Sequence, residues 1–148
     1  MKIAIASDHA AFEFNRQLTT WLQAHGHEVV NFGCNGTESC DYPDFGIPAV
    51  LALTAGEVDR TILCCNNGIG MSILANKIPG AVAALVYNEE CARMTREHHN
   101  SNVLCLGAQQ FPAERLIEFV RLWLDTEFAG GRHERRIAKA RALDSKGV

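Results

Sequence analysis

The sequence has no surplus of positive charge: 14 lysines and arginines face 17 aspartates and glutamates, a formal net charge of −3. Without a basic footprint, nucleic acid drops out as a partner. No apolar run approaches the ~20 residues that span a bilayer. The opening "MKIAIASDHAAF" is interrupted by Asp8 and His9 too early for a signal peptide, so no membrane partner and a cytoplasmic location are expected. The six cysteines, Cys34, Cys40, Cys64, Cys65, Cys91 and Cys105, include no C-x-x-C and no paired spacing. That makes a zinc or iron–sulfur site a poor reading, and no metal is expected. A disulfide scaffold has no export signal to support it. Most of these thiols are expected to be small and partly buried, with Cys64 packed in a strand at the end of "RTILC". Internal repeats and low-complexity linkers are also absent.

What remains is a chain of 148 residues, 47% hydrophobic and 21% charged, with the size and composition of one globular domain over residues 1–148. Its pattern alternates. "KIAIAS" reads as a strand, followed by a helix with Phe14, Leu18, Trp21 and Leu22 on one face and Gly26 as its stop. "HEVVNFG" is a second strand, and Pro48 is expected to open a helix running to about Ala55. "RTILC", "AVAALVY" and "NVLCLG" supply three more strands, separated by the helices "GMSILANK" and "NEECARMTREHH", the latter capped by Asn88. Pro112 opens a helix carrying Leu116, Phe119, Val120 and Leu124, and a charged last helix starts near Arg132. Such alternation, with near-continuous apolar strands, implies an α/β class. The expected form is a three-layer α/β/α Rossmann-like fold with a five-stranded parallel sheet and a C-terminal helix.

Ligands of such sheets bind at the C-terminal ends of the strands. The rule nominates Ser7-Asp8-His9, the loop from Cys65 to Gly70, and Gly107 to Gln110. Gly68 and Gly70 let the backbone turn and expose amides at a helix start, where anions and developing oxyanions are stabilised. A helix N-terminus also favours the thiolate, so Cys65 is a candidate base or nucleophile. The loop is not G-x-G-x-x-G, and no acidic residue closes the second strand, so a dinucleotide is not indicated. His9 reads either as a ligand or as a cap. His98 and His99 read either as acid–base groups or as a solvated helix end. Arg132 and Arg136, four apart, suit a phosphate dianion or a salt-bridged surface helix.

Five motifs in order resemble the ribose-5-phosphate isomerase type B group, which includes the galactose-6-phosphate isomerase subunits. They are "IASDHAAF" at the start, "DYPDF" at 41–45, C-x-x-G-I-G-M-S-I-x-A-N-K at 65–77, "REHHNSNVLCLG" at 96–107 and "GGRHERR" at 130–136. The resemblance implies an aldose–ketose isomerase of a phosphorylated sugar, an intramolecular oxidoreductase. Asp8 and His9 then bind substrate, and Cys65 moves a proton between C1 and C2. The amides of Asn66, Asn67, Gly68, Ile69 and Gly70 hold the enediolate oxygens, His98 assists ring opening, and Arg132 and Arg136 bind phosphate. It further implies a homodimer, or a tetramer of dimers, with sites built from both subunits and no metal or organic cofactor.

The chain departs from that pattern near substrate. Cys-Gly-Thr or Cys-Gly-Ser becomes Cys65-Asn66-Asn67, His-Asn-Asp becomes His98-His99-Asn100, and an arginine after the fifth strand becomes Gln109. Retained chemistry with altered choice among tetrose, pentose and hexose phosphates is the expectation. A phosphosugar sensor or regulatory subunit, or one half of a two-chain isomerase, are the alternatives.

Overall fold

The strands pair in parallel in the order β2-β1-β3-β5-β4. They are β1 (Lys2–Ser7), β2 (Glu28–Asn31), β3 (Arg60–Cys65), β4 (Ala83–Leu85) and β5 (Val103–Gly107). Between and after them run α1 (Phe12–Ala24), α2 (Tyr42–Thr54), α3 (Ile69–Asn76), α4 (Glu89–His99), α5 (Ala113–Asp125) and α6 (Arg132–Arg141). This computed structural model describes residues 1–145; the last three positions of the expected domain lie outside the described residues. Among the described residues no helix is long and apolar enough to cross a membrane.

The central strands are apolar throughout because both of their faces are covered. Ile3, Ile5, Ile62, Cys64, Leu104 and Leu106 pack under α1, α4 and α5. The alternate residues Ala4, Ala6, Leu63, Cys65, Val103 and Cys105 pack under α2 and α3. α1 buries Phe14, Leu18 and Leu22, with Trp21 at the margin. It ends where Gly26 takes φ +81° and the His27 amide returns to the Leu22 carbonyl at 3.0 Å.

Two boundaries differ from the sequence expectation. α2 begins six residues before Pro48, at Tyr42, with Pro43 in its first turn and Pro48 inside it. Pro43 has no helical bond to lose there, and Pro48 forfeits a single one. Burial of Gly46, Ala49 and Val50 outweighs that loss. β4 is shorter than "AVAALVY" because it is an edge strand whose free side is already occupied. The Asn76 carboxamide accepts from the Ala83 amide and donates to its carbonyl, both at 2.9 Å, mimicking a neighbouring strand.

Candidate active site

β1, β3 and β5 end level with one another, with Ser7 opposite Cys64 and Cys65 opposite Gly107. Beyond β1, the buried Asp8 carboxylate accepts the Ala10 amide at 3.0 Å and caps a single 3-10 turn, His9–Ala11. His9 Nδ1 accepts the Cys40 amide at 3.2 Å and lies 3.7 Å from the Cys40 thiol. A neutral His9 therefore carries its proton on Nε2, a donor left for a ligand. The loop from Cys34 to Cys40 bounds a hollow of about 540 Å³ on this side.

Cys65, the last residue of β3, is 5% exposed and faces the α2–α3 layer. Its Sγ accepts the Gly68 amide at 3.2 Å. Gly68 has φ +78°, and a Cβ there would lie 2.8 Å from the Leu106 carbonyl carbon. Glycine alone makes both the turn and the approach. The Asn67 side chain accepts from the Ile69 amide at 3.0 Å, leaving the half-buried Gly70 amide as the accessible donor of the first turn of α3. The ring of Tyr42 lies against Gly70.

The loop after β5 closes onto the same place. The Ala108 amide bonds to the Cys65 carbonyl at 2.9 Å, and the Gln109 amide to the Asn66 carbonyl at 3.1 Å. Gln109 Nε2 donates to the Ala10 carbonyl at 2.7 Å, and Gln110 Nε2 to Asn66 Oδ1 at 3.4 Å. A side chain at Gly107 would meet the Asn67 backbone at 2.8 Å, so the two loops touch directly.

The remaining candidates are elsewhere. α4 runs back to the opposite edge of the sheet, so His98 and His99 precede the first residue of β5. Cys65 pairs with Gly107, four residues and ~13 Å further along that strand. At this second edge His98 stacks on His133, centroids 4.0 Å apart and planes 8° from parallel. Partial desolvation, His98, and the two arginines together hold the His133 imidazole below its ordinary value. Arg132 and Arg136 are exposed on α6, which rests on α4, and among the described residues neither pairs with a carboxylate. Among the described residues, the salt-bridged-helix reading of these two arginines therefore finds no ion pair.

A buried guanidinium holds this second cluster together. Arg96 is 5% exposed, and burial together with nearby Arg60 pushes it down to about 10. It donates to the Ser101 carbonyl at 2.6 Å and to Asn100 Oδ1 at 2.8 Å. Asn100 ends α4 in the left-handed region at φ 51°, a conformation asparagine tolerates better than most residues. The indole of Trp123 donates to Ser101 Oγ at 2.8 Å, tying the turn after His98 and His99 to α5.

Of the residues nominated from sequence, one edge gathers Asp8, His9, Cys65, Asn66, Asn67, Gly68, Ile69, Gly70 and Gln109. The other gathers His98, His99, Arg132 and Arg136. Tyr42, Cys40 and His133 also belong to these clusters and were not nominated. His133 lies inside the "GGRHERR" run, where the paired arginines drew the attention. Among the described residues no group of three or more His, Cys, Asp or Glu is placed to hold a metal ion.

A model of the family described as Ribose/Galactose Isomerase matches residues 3–140. The chain belongs to that family. Within the Ribose/Galactose Isomerase family, it is 43% identical to a ribose-5-phosphate isomerase B from Clostridium thermocellum of known structure, covering 100% of both chains with a TM-score of 0.97. It is 34% identical to ribose-5-phosphate isomerase B of Escherichia coli, over 98% of this chain and 97% of that protein. It is 36% identical to D-erythrulose-4-phosphate isomerase of Pectobacterium atrosepticum, over 94% of this chain and 92% of that protein. The resemblance read from the five motifs and the expected α/β architecture both hold.

Proposed function

We propose that the protein interconverts the aldose and ketose forms of a phosphorylated sugar through an enediolate. Cys65 is the base: its thiolate takes the proton from C2 of the open-chain aldose and returns it to C1. The carbonyl passes from C1 to C2, with the hydroxyl proton moving between O2 and O1. The observation that carries this reading is the Cys65 thiol at the mouth of α3, 3.2 Å from one amide, with the half-buried Gly70 amide unpaired beside it. That donor meets the negative oxygen of the enediolate where it develops. Asp8 and His9 orient the sugar hydroxyls. His98, with His99, assists ring opening, and Arg132 and Arg136 take the phosphate, fixing the reacting carbons over the base.

In this proposal two copies of the chain complete each site. The ~13 Å of strand between the two clusters is too long for one chain to bring His98 to Cys65. A contact surface is available: Ile47 and Leu51 on α2 and Ile69 and Ile73 on α3 are 41–53% exposed, beside the Cys65 loop. Such an apolar face suits burial against a second copy, whose α4–α6 end then supplies histidines and arginines. All six thiols are free, which fits a reducing cytoplasmic compartment.

Proton exchange and ketose formation are to be followed with four-, five- and six-carbon aldose phosphates. Turnover by the protein, lost in Cys65→Ala while binding persists, is the expected result. Binding without turnover of any phosphosugar would overturn the proposal in favour of a sensor.

A further inference from the structure

The loop between β2 and α2 carries a thiol at each end, and the proposed isomerisation uses neither. Both ends are pinned to one tripeptide. The Cys34 amide donates to the Ser7 carbonyl at 3.1 Å, and the Cys40 amide donates to His9 Nδ1 at 3.2 Å. Between these anchors the chain folds back around the hollow of about 540 Å³, so Cys34 and Cys40 line one opening. Both are free and half-buried. The Cys40 thiol lies 3.7 Å from His9 Nδ1 and within side-chain interaction range of the Cys34 thiol. Burial pushes the Cys40 thiol up against the pull of its bond to His9, and neighbouring Cys34 and Asp8 add to the rise. Cys40 therefore keeps its proton at rest, which suits the second thiol to react rather than the first. The Cys34 thiol, held only by the Gly36 carbonyl at 3.3 Å, is the first.

We propose that Cys34 and Cys40 are a modification site, a thiol pair that hydroperoxides oxidise to a disulfide, and that its closure withdraws Cys40 from His9. The Cys34 thiolate attacks the O–O bond of the hydroperoxide. Its sulfur becomes a sulfenic acid, and the other oxygen leaves as water or an alcohol. The Cys40 sulfur then attacks that sulfur and the hydroxyl leaves as water, with His9 Nδ1 relaying the proton that Cys40 gives up. Two thiols thus lose two electrons and two protons, and the hydroperoxide is reduced by the same two electrons. A disulfide holds its two Cβ atoms about 4 Å apart, so Cys40 moves toward Cys34 and its two contacts with His9 are strained or lost. Tyr42 follows two residues later with its ring against Gly70, so the displacement also reaches the Cys65 loop. Cys65 itself is 5% exposed, and the half-buried pair meets a peroxide before it does. The effect on turnover rests on the isomerase reading given under Proposed function.

The test exposes the reduced full-length protein and Cys34→Ser to hydrogen peroxide and then blocks the remaining thiols. Digested peptides are read by mass, and isomerase activity is measured before and after a thiol reductant. The protein is expected to yield a peptide linking Cys34 to Cys40 and to lose activity about tenfold or more, chiefly through KM, with recovery on reduction. Cys34→Ser starts with the same activity and is expected to give neither the linked peptide nor the reversible loss. Cys34→Ala serves the same comparison if Cys34→Ser does not fold. No linked peptide from the folded protein, a linked peptide with unchanged activity, or an equal reversible loss in Cys34→Ser each overturns the inference. The last of these assigns the loss to another thiol. No turnover of any phosphosugar by the reduced protein overturns the isomerase reading instead, and the linked peptide alone then decides the thiol pair.

Discussion

The two edges of the sheet are built on opposite terms. At the Cys65 edge four side chains are tied to backbone: Asp8 to Ala10, Asn67 to Ile69, Gln109 to Ala10, and Cys65 itself to Gly68. At the His98 edge the scaffold is equally firm beneath, through Arg96 and Trp123, but the outward groups are unclaimed. Arg132 and Arg136 have no anionic partner among the described residues, and α6 buries none of its own side chains. One edge is preorganised for a small reacting group. The other presents its charge outward.

The largest effect that sharpens this contrast is at the proposed base. Cys65→Ala is expected to lower kcat by about a thousandfold, because a positioned general base contributes on that order. Steady-state kinetics with the preferred phosphosugar reads it, and a loss under about tenfold would remove Cys65 from the chemistry. Next is the charged edge. Arg132→Ala and Arg136→Ala each remove a charge-assisted contact of about 1.5–3 kcal/mol, expected to cost about ten- to a hundredfold in kcat/KM. Unchanged KM for a phosphorylated substrate in both variants would count against phosphate binding there.

A smaller but more diagnostic effect comes from combining the edges. Cys65→Ala and His98→Ala chains, each inactive, are to be unfolded together and refolded as a mixture. If each site takes one edge from each chain, half the pairs are mixed and each holds one intact site, restoring about a quarter of normal activity. No recovery in a mixture shown to contain mixed pairs would break the two-chain arrangement. The smallest effect concerns pH. His133 is held below its ordinary value of 6.5 in the folded protein, so the unfolded chain protonates first as pH falls through 6.5. Stability is full above that value and declines below it. His133→Asn is expected to flatten the acid side of a plot of Tm against pH; an unaltered slope would show that other groups govern it.

Much of this was legible in the sequence, and for a physical reason. A parallel sheet covered on both faces imposes continuous apolar strands and one-sided helices, so "KIAIAS", "RTILC" and the Phe14–Leu22 stripe could be read without tertiary information. The start of α2 could not, because a proline marks a helix start far more readily than a position in the second turn, where Pro48 lies. The length of β4 depends on Asn76, whose role as a strand mimic exists only once α3 is folded beside it. Glycine spacing marked the turn between β3 and α3, where Gly68 takes φ +78°. The separation of His98 from Cys65 follows from the topology itself, since a helix leaving one edge of a parallel sheet must return to the other. The Gln109–Ala10 bond joins residues 99 positions apart and has no local signature.

On the two-chain reading, the bareness of α6 makes protein concentration part of the chemistry. A ten-residue helix with no fully buried side chain is marginal by itself, and here it rests mainly on α4. On the two-chain reading, the order of this helix and the pairing of chains belong to one equilibrium. Dilution would part the chains, fray α6 and spoil the spacing of its two guanidiniums together. A phosphosugar that touches both chains binds only the pair, and by mass action it opposes all three events. Specific activity would then fall as the protein is diluted and be held up by its own substrate, so that scarcity of sugar and scarcity of enzyme reinforce one another.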